Sequence, residues 1–343
     1  MNPVFQEAKY IPGLRGKKKD IPPVLIHEDM KERKRRKDEI LNRLTCVLGG
    51  LPPRTHATAE ILHKYSMEDY TRVHLTIHTL DDDKIPAYLL IPDKTPESGF
   101  FKGVLAMHET CFQGKDEPAG ISGHPNFFYG LDLVKRGFIV LIPDVDAAGE
   151  RVKPGQKPYM TNEFYNRYPN WSYMGKMLFD HRQCMDYLLS REDTDHSGVA
   201  VIGHSKGGYN AIFLSAFDER VKVTVSSCGY QPVTGERDKK RWVRSGYEHF
   251  KPIKECVVRY NYYPFEFHEV LACIAPRAFF SWYTRYDHCF PNYKGVEKLH
   301  LLTKGVYEQY GKSNLFYSMT GSEGHDFPLY ARERAYEFIE QHL

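Results

Sequence analysis

Residues 199–208, with the sequence VAVIGHSKGG, restrict the possible folds of this chain more than any other segment. Four apolar residues lead directly into a short turn around Ser205, which has a glycine two positions before it and another two positions after it. A buried strand that turns sharply into a helix needs small residues at those positions, because Cβ atoms would crowd the corner. The segment therefore predicts a strand-to-helix turn that exposes the Ser205 hydroxyl.

Strand and helix patterns alternate along most of the chain. Short apolar runs typical of buried strands occur at residues 103–108, 137–145, 198–203, 221–227, 277–283 and 314–320. Helical patterns connect and follow them, at about residues 126–136, 173–190, 209–217, 292–311 and 327–342. This order predicts an α/β fold in which helices cover both faces of a mostly parallel central sheet. Residues 72–80 and 85–92 flank the turn DDD, which predicts an antiparallel N-terminal hairpin at one edge.

Two parts of the chain depart from this alternation. Residues 1–65 are interrupted by prolines and contain helix-like segments at 28–48 and 57–65, so we expect a helical lead-in that packs on the core. Residues 66–343 are expected to form a single α/β domain. Within that domain, residues 228–270 are first polar and then aromatic, which predicts a small insertion over one edge of the sheet and over the site.

The charge and cysteine content exclude several classes of protein. The 343 residues include 47 basic and 44 acidic side chains, and this net charge of +3 is too balanced for a nucleic-acid-binding surface. The 7 cysteines are scattered without zinc-ligand spacing, which favours reduced thiols and predicts no metal site. Neither a signal peptide nor an apolar run of membrane-spanning length is evident. We therefore expect a soluble, cytoplasmic protein without nucleic-acid or membrane partners, and leave a homo-oligomer open.

Ser205 needs two further side chains to act as a nucleophile. A serine hydroxyl is weakly nucleophilic without a base, and the base needs a carboxylate that orients it. In an open α/β sheet, such residues lie on loops that follow the strands. Asp287 follows the strand expected at 277–283, and His325 follows the strand expected at 314–320. The sequence therefore predicts a catalytic triad of Ser205, Asp287 and His325.

Other residues could fill these roles. His288 adjoins Asp287 in the sequence, but it shares the loop of the acid and cannot easily span to the serine. Asp326, Glu323 or a carboxylate near the end of the 221–227 strand could serve as the acid instead. Structural roles are expected for His204, beside the serine, and for the helical pair Asp180 and His181.

The same corner offers part of an oxyanion hole, the set of donors that stabilises the charged intermediate of acyl transfer. The backbone N–H of Lys206 lies at the N-terminus of the expected helix, where it is free to donate. The loop after the 103–108 strand continues as HETCFQG, so we expect the backbone N–H of Thr110 to be the second donor, in a loop braced by His108. Phe112 is expected either to shorten the acyl site, which predicts faster hydrolysis of acetyl than of octanoyl esters, or to pack against the core.

Several motifs together resemble a known family. GHSKGG at the corner, the HET loop with GKDEPAG behind it, PDVDAAGE, PFEFHEVLACIAPRAFF and GHDFP are similar to the bacterial α/β-hydrolases of the dienelactone-hydrolase-like and acetyl-xylan-esterase-like branch. The similarity covers about residues 40–343. It implies a serine esterase for carboxylic esters, often short acyl groups on carbohydrates, that requires neither cofactor nor metal. The implied catalytic residues are Ser205, Asp287 and His325, with the backbone N–H groups of Lys206 and Thr110 as oxyanion donors.

The resemblance leaves the substrate open, because the chain departs from both branches. Dienelactone hydrolases carry a cysteine where this chain has Ser205, and secreted carbohydrate esterases carry a signal peptide. A carbohydrate or small-molecule ester is the expected substrate; a lactonase, a peptidase of the prolyl-oligopeptidase type and a non-catalytic binding module are the alternatives. Aromatic residues of the insertion are expected to pack it onto the sheet or to wall the site: Trp242, Tyr247, Tyr260, Tyr262, Tyr263 and Phe265.

Overall fold

A computed structural model describes residues 29–234 and 236–343 of the chain. Residues 1–28 of the expected lead-in and Gly235 of the insertion lie outside the described residues. The strands are β1 (Ala59–Ser66), β2 (Tyr70–His78), β3 (Lys84–Pro92), β4 (Phe101–Met107), β5 (Ile139–Pro143), β6 (Thr194–His204), β7 (Val221–Ser227), β8 (Ala278–Thr284) and β9 (Phe316–Gly321). The helices are α1 (Met30–Leu48), α2 (Tyr129–Lys135), α3 (Asn162–Arg167), α4 (Tyr173–Ser190), α5 (Lys206–Phe217), α6 (Lys254–Tyr260), α7 (Phe267–Ala272), α8 (Tyr293–Gln309) and α9 (Leu329–His342).

Within the described residues, the strands form one 9-stranded sheet in the order β1-β2-β3-β5-β4-β6-β7-β8-β9. All pairs from β5 to β9 in this order are parallel. The pairs β1-β2, β2-β3 and β3-β5 are antiparallel. The predicted mostly parallel α/β sheet with an antiparallel N-terminal edge is confirmed.

One predicted helix is wrong. Residues 57–65, with the sequence ATAEILHKY, form most of β1, which pairs with β2 from Ala59 to Ser66. The segment is rich in good helix formers and spaces its apolar residues like a helix, but backbone pairing at the sheet edge overrides that propensity. Because almost every side chain of β1 is exposed, burial leaves no two-residue period in the sequence. The antiparallel edge therefore has three strands, where the sequence predicted a hairpin.

The sheet separates two hydrophobic cores, because successive side chains of a strand point to opposite faces. Leu105 and Met107 of β4 belong to the core that α1, α4, α5, α7 and α8 cover. Val104 and Ala106 belong to the core covered by α2 and α9. None of the helices in the described part of the chain is both long and apolar enough to cross a lipid bilayer.

The insertion at residues 228–270 packs on α5. The rings of Phe250 and Phe265 lie 5.8 and 6.0 Å from the ring of Phe213 in α5, measured between centroids. Trp242 of the insertion meets Tyr209 of α5 edge-on, with centroids 5.1 Å apart. Because α5 begins directly after the corner at Ser205, this packing brings the insertion over the end of β6.

Candidate active site

The corner at Ser205 has the strained geometry that the glycine spacing predicted. Ser205 has a φ of 51° and a ψ of −112°, and its N–H donates to the Ser227 carbonyl oxygen at 2.8 Å. A Cβ atom on Gly203 would lie 2.3 Å from the carbonyl carbon of Gly207, and one on Gly207 would lie 2.0 Å from the Met107 carbonyl oxygen. Both glycines are therefore required by close backbone contacts, and strain of this kind is concentrated at functional sites.

The predicted acid and base are hydrogen bonded to each other. Nδ1 of His325 lies 2.9 Å from Oδ2 of Asp287. The other oxygen of Asp287 accepts the backbone N–H groups of Cys289 at 2.7 Å and Phe290 at 2.8 Å. These contacts fix the carboxylate, which is only 3% exposed, and the carboxylate in turn orients the imidazole.

The two side chains shift each other's pKa. Burial acts to raise the pKa of Asp287, but the hydrogen bond and charge of His325 outweigh it and lower that pKa. Burial acts to lower the pKa of His325, but the hydrogen bond and charge of Asp287, together with hydrogen bonds of Cys228 and Cys289, outweigh it and raise that pKa. Nε2 of His325 is buried and has no hydrogen-bond partner among the described residues. It is therefore free to accept a proton inside the cavity that His325 and Ser205 both line.

The alternative acids and bases are not paired with His325. Asp326 accepts the amide of Asn126 at 2.8 Å, and Glu323 accepts a tyrosine hydroxyl at 2.5 Å. His288 is exposed, with its ring centroid 5.8 Å from that of His325. Asp180, expected to be structural, contacts Lys176 and Arg151 at 2.6 and 2.9 Å in a buried ion-pair cluster.

Hydrogen bonds fix the loop that follows β4. Nδ1 of His108 lies 2.6 Å from the Glu109 carbonyl oxygen, and its Nε2 accepts the Val145 N–H at 3.2 Å. One neutral tautomer, with the proton on Nδ1, satisfies both contacts. The hydroxyl of Tyr159 accepts the N–H of Cys111 at 2.9 Å. His108 thus braces the loop, as the sequence predicted.

Two backbone N–H groups near Ser205, one on this loop and one at the start of α5, have no hydrogen-bond acceptor among the described residues. Among the described residues, neither the Thr110 N–H nor the Lys206 N–H donates a hydrogen bond. Both residues line the cavity with Ser205 and His325. Lys206 is the first residue of α5, so its N–H also carries the partial positive charge of a helix N-terminus.

The cavity has a volume of about 460 Å³, which is typical of small-molecule sites. Lys206 lies buried in its wall with no carboxylate within ion-pairing distance in the described part of the chain. Its Nζ lies 4.9 Å from the ring centroid of Tyr159 and 3.2 Å from Nε2 of His249. Burial lowers the pKa of Lys206 to about 7. The remaining polar and aromatic lining includes Glu109, Tyr173, Tyr209, Arg241, Trp242, Arg244, Tyr247 and Phe290.

The structure separates the aromatic residues that the sequence grouped together. Trp242 and Tyr247 line the cavity, whereas Phe265 and Tyr263 pack within the insertion. Phe112 is 83% exposed and does not line the cavity. Both interpretations of Phe112, as a wall of the acyl site and as a core residue, are therefore wrong, because the braced loop turns its side chain outward.

Sequence reasoning missed a cluster of potential metal ligands. Among the described residues, ligand atoms of Glu109, His204 and His325 all lie within 4.8 Å of one another. His204 is fully buried, and its Nδ1 lies 2.8 Å from Oγ of Ser227. Its Nε2 has no hydrogen-bond partner among the described residues. The only sequence signal is that Glu109 and His204 each directly precede a predicted site residue. A second group at the same spacing comprises Cys228, Asp287 and His325.

The fold and these contacts define a class of protein. A strained serine follows a central parallel strand, a His–Asp pair lies on later loops, and unpaired amides flank the serine. This arrangement on a mostly parallel sheet is typical of α/β-hydrolase serine hydrolases. Residues 133–311, just over half of the chain, match the family model described as glucuronyl esterase, fungi. The chain belongs to this glucuronyl esterase family, and the prediction of a carboxylic ester hydrolase is confirmed.

Individual proteins are similar to this chain in sequence or in fold. The chain is 26% identical over 307 residues to "Putative hydrolase YtaP" of Bacillus subtilis (strain 168), covering 88% of this chain and 98% of that protein. A "putative acetyl xylan esterase" from Bacteroides fragilis has a similar fold, with a TM-score of 0.71, 18% identity and coverage of 90% of this chain and 80% of that chain. A glucuronoyl esterase from Solibacter usitatus aligns with a TM-score of 0.69 and 20% identity, covering 91% of this chain and 93% of that chain.

Proposed function

We propose that this protein hydrolyses carboxylic esters of carbohydrates with Ser205 as the nucleophile. His325, oriented by Asp287, takes the proton of the Ser205 hydroxyl as the oxygen attacks the ester carbonyl. The backbone N–H groups of Lys206 and Thr110 donate to the resulting oxyanion. His325 then gives its proton to the departing alcohol, which leaves an acyl-enzyme. A water molecule attacks the acyl carbon and His325 takes a proton of that water. The acid is then released as His325 returns this proton to the Ser205 oxygen.

The hydrogen bond between Asp287 and His325 carries this proposal. At 2.9 Å it holds the imidazole with its unpartnered Nε2 in the cavity of Ser205. A proton on Nδ1 leaves the lone pair of Nε2 available, which is the tautomer that general-base catalysis needs. The free N–H groups on two sides of Ser205 support the oxyanion step, because donors already engaged elsewhere could not stabilise the intermediate.

The carbohydrate part of the proposal is supported by the cavity and by the relatives. The matching family is described as glucuronyl esterase, and the two structural neighbours carry the names of an acetyl xylan esterase and a glucuronoyl esterase. The rings of Trp242 and Tyr247 in the cavity offer apolar faces that suit sugar rings. Lys206 and Arg241 offer N–H donors to hydroxyl or carboxyl oxygens.

A substrate panel tests the proposal. We would measure kcat/KM for acetylated xylo-oligosaccharides, a methyl ester of glucuronic acid, p-nitrophenyl acetate, a lactone and an aminoacyl amide. We expect at least one sugar ester to exceed p-nitrophenyl acetate by about ten-fold or more, since a sugar fills the cavity. Fastest turnover of the lactone would support a lactonase, and fastest turnover of the amide would support a peptidase.

The nucleophile is tested in the same assay. Ser205→Ala should lower kcat by at least about 10³-fold, because the acyl-enzyme cannot form. Ser197→Ala, at an exposed serine, is the matched control and should keep native activity. Circular dichroism should show the native fold for both variants. Retained activity in a folded Ser205→Ala protein would exclude the triad.

A further inference from the structure

Two buried histidine nitrogens beside Ser205 have no hydrogen-bond partner in the described part of the chain. They are Nε2 of His204 and Nε2 of His325. A carboxylate oxygen of Glu109 lies 3.9 Å from the first, and one ligand atom from each of Glu109, His204 and His325 lies within 4.8 Å of the other two. A metal ion bonded at about 2.0–2.2 Å to each would hold them about 3–4 Å apart, so small side-chain rotations would complete the site.

The second nitrogen of each ring is already positioned by another side chain. Nδ1 of His325 lies 2.9 Å from a carboxylate oxygen of Asp287, and Nδ1 of His204 lies 2.8 Å from Oγ of Ser227. With the proton on Nδ1, each Nε2 atom keeps an unshared lone pair, and the centroids of the two rings lie 4.5 Å apart. Metal-binding histidines in proteins are oriented in the same way, by donating the other ring N–H to a carboxylate or another oxygen.

We propose that Glu109, His204 and His325 form a zinc site that inhibits the esterase. Two imidazole nitrogens and one carboxylate are an established ligand set for Zn²⁺ with an open fourth position. Imidazole ligands favour zinc and other late first-row metals, whereas Mg²⁺ and Ca²⁺ prefer sites made of oxygen atoms. A buried nitrogen without a partner is costly in the metal-free protein, and coordination would satisfy both Nε2 atoms at once.

Zinc should inhibit the esterase because zinc binding and proton transfer from Ser205 need the same nitrogen atom. Nε2 of His325 cannot bind zinc and accept the proton of Ser205 at the same time. Zinc binding and ester hydrolysis therefore exclude each other, and a chelator should restore activity without lowering the rate of the metal-free enzyme. The inhibition rests on the proposed function, whereas the zinc binding rests on the geometry alone.

Calorimetry tests the binding directly. Zinc chloride is titrated into the full-length protein and into Ser205→Ala, and both should bind one ion per chain, because the serine is not a ligand. Glu109→Gln keeps the size of the side chain and removes the anionic ligand, so zinc binding should weaken by at least about ten-fold. His288→Gln is the matched control: this exposed histidine lies near His325 but outside the cluster, and its variant should bind zinc like the native protein.

The esterase rate gives the second readout. Each variant is compared with its own zinc-free rate on p-nitrophenyl acetate, and Glu109→Gln should need at least about ten-fold more zinc than the native enzyme for half inhibition. Native zinc affinity in Glu109→Gln, or weakened binding in His288→Gln, would overturn the proposal. Loss of zinc binding in Cys228→Ser but not in Glu109→Gln would also overturn it, by assigning zinc to the Cys228 group. Zinc binding by a protein without any esterase activity would support the site and refute the proposed function instead.

Discussion

Replacing Asp287 with asparagine removes one negative charge and keeps the shape of the side chain. In the native protein, one oxygen of Asp287 contacts Nδ1 of His325 and the other accepts the N–H groups of Cys289 and Phe290. An asparagine that keeps both backbone contacts points its NH₂ group at Nδ1. The imidazole must then carry its proton on Nε2, where it cannot accept the proton of Ser205. We expect kcat to fall by about 10³–10⁴-fold.

The same substitution should move the pH dependence, and its sign follows from the pKa shifts. A charge pair about 4 Å apart at an effective dielectric constant of about 20 is worth about 4 kcal/mol, or about 3 pKa units. In the native protein this attraction, together with the hydrogen bonds of Asp287, Cys228 and Cys289, outweighs burial and holds the pKa of His325 above its ordinary value of 6.5. In Asp287→Asn burial still acts to lower that pKa, whereas the hydrogen bond of Asp287, the largest contribution that raises it, and the charge of Asp287 are lost. Because neutral His325 is the proposed base, kcat/KM should rise with pH through a midpoint above 6.5 in the native enzyme and through a lower midpoint in the variant.

The assay is kcat/KM for one sugar ester over a range of buffered pH values, with chemistry shown to be rate-limiting. Asp326→Asn is the control, because Asp326 is the next residue after His325 and accepts the amide of Asn126 instead. It should keep the native midpoint. A native midpoint in Asp287→Asn, or an equal shift in Asp326→Asn, would refute the assignment of Asp287 as the partner of the base.

Three further substitutions, one of them with a matched control, test the corner, the loop and the cavity wall. Gly207→Ala would place a Cβ atom 2.0 Å from the Met107 carbonyl oxygen, so we expect it to lower the free energy of unfolding in urea by about 3 kcal/mol or more. Gly324→Ala, which meets no atom within 4 Å, should cost about 0.5 kcal/mol or less, and equal costs would contradict the steric argument. Phe112→Ala should leave the ratio of acetyl to octanoyl kcat/KM unchanged, since Phe112 is 83% exposed; a changed ratio would mean that the ring contacts the acyl chain. KM for a sugar ester should rise as pH increases through 7, where the ammonium of Lys206 loses its proton, and Lys206→Met should abolish that rise; if the variant keeps it, another group is responsible.

The central parallel strands, β4 to β8, were predictable because each is largely buried on both faces. Their apolar runs stand out from the sequence, and the residues between them supply helices of the right length. β1 was not predictable in the same way, since its side chains are exposed on both faces and only its backbone pairing with β2 makes it a strand. The pattern of apolar residues in a sequence indicates where side chains are buried. The exposed edge strand β1 buries almost none of its side chains.

Some features of the candidate site were likewise predictable from the sequence, and others were not. Ser205 was located from the glycine-framed turn, and Asp287 and His325 from strand order, because the ends of parallel strands meet at one edge of the sheet. The direction of Phe112 was not predictable, because hydrogen bonds to residues distant in the sequence fix the loop that carries it. The environment of Lys206 was not predictable from the sequence either, because its aromatic neighbours come from several separate segments.

The spacing between the two oxyanion donors depends on the contact that makes Gly207 necessary. Met107, at the end of β4, pairs in register with Gly203, and its carbonyl oxygen would meet any side chain on Gly207. The helix that begins at Lys206 therefore sits directly against the strand whose loop carries Thr110. A larger residue at the corner would push the start of α5 away from this strand and so separate the two N–H groups. Because these proposed donors act on charge that develops only in the transition state, such a change should lower kcat.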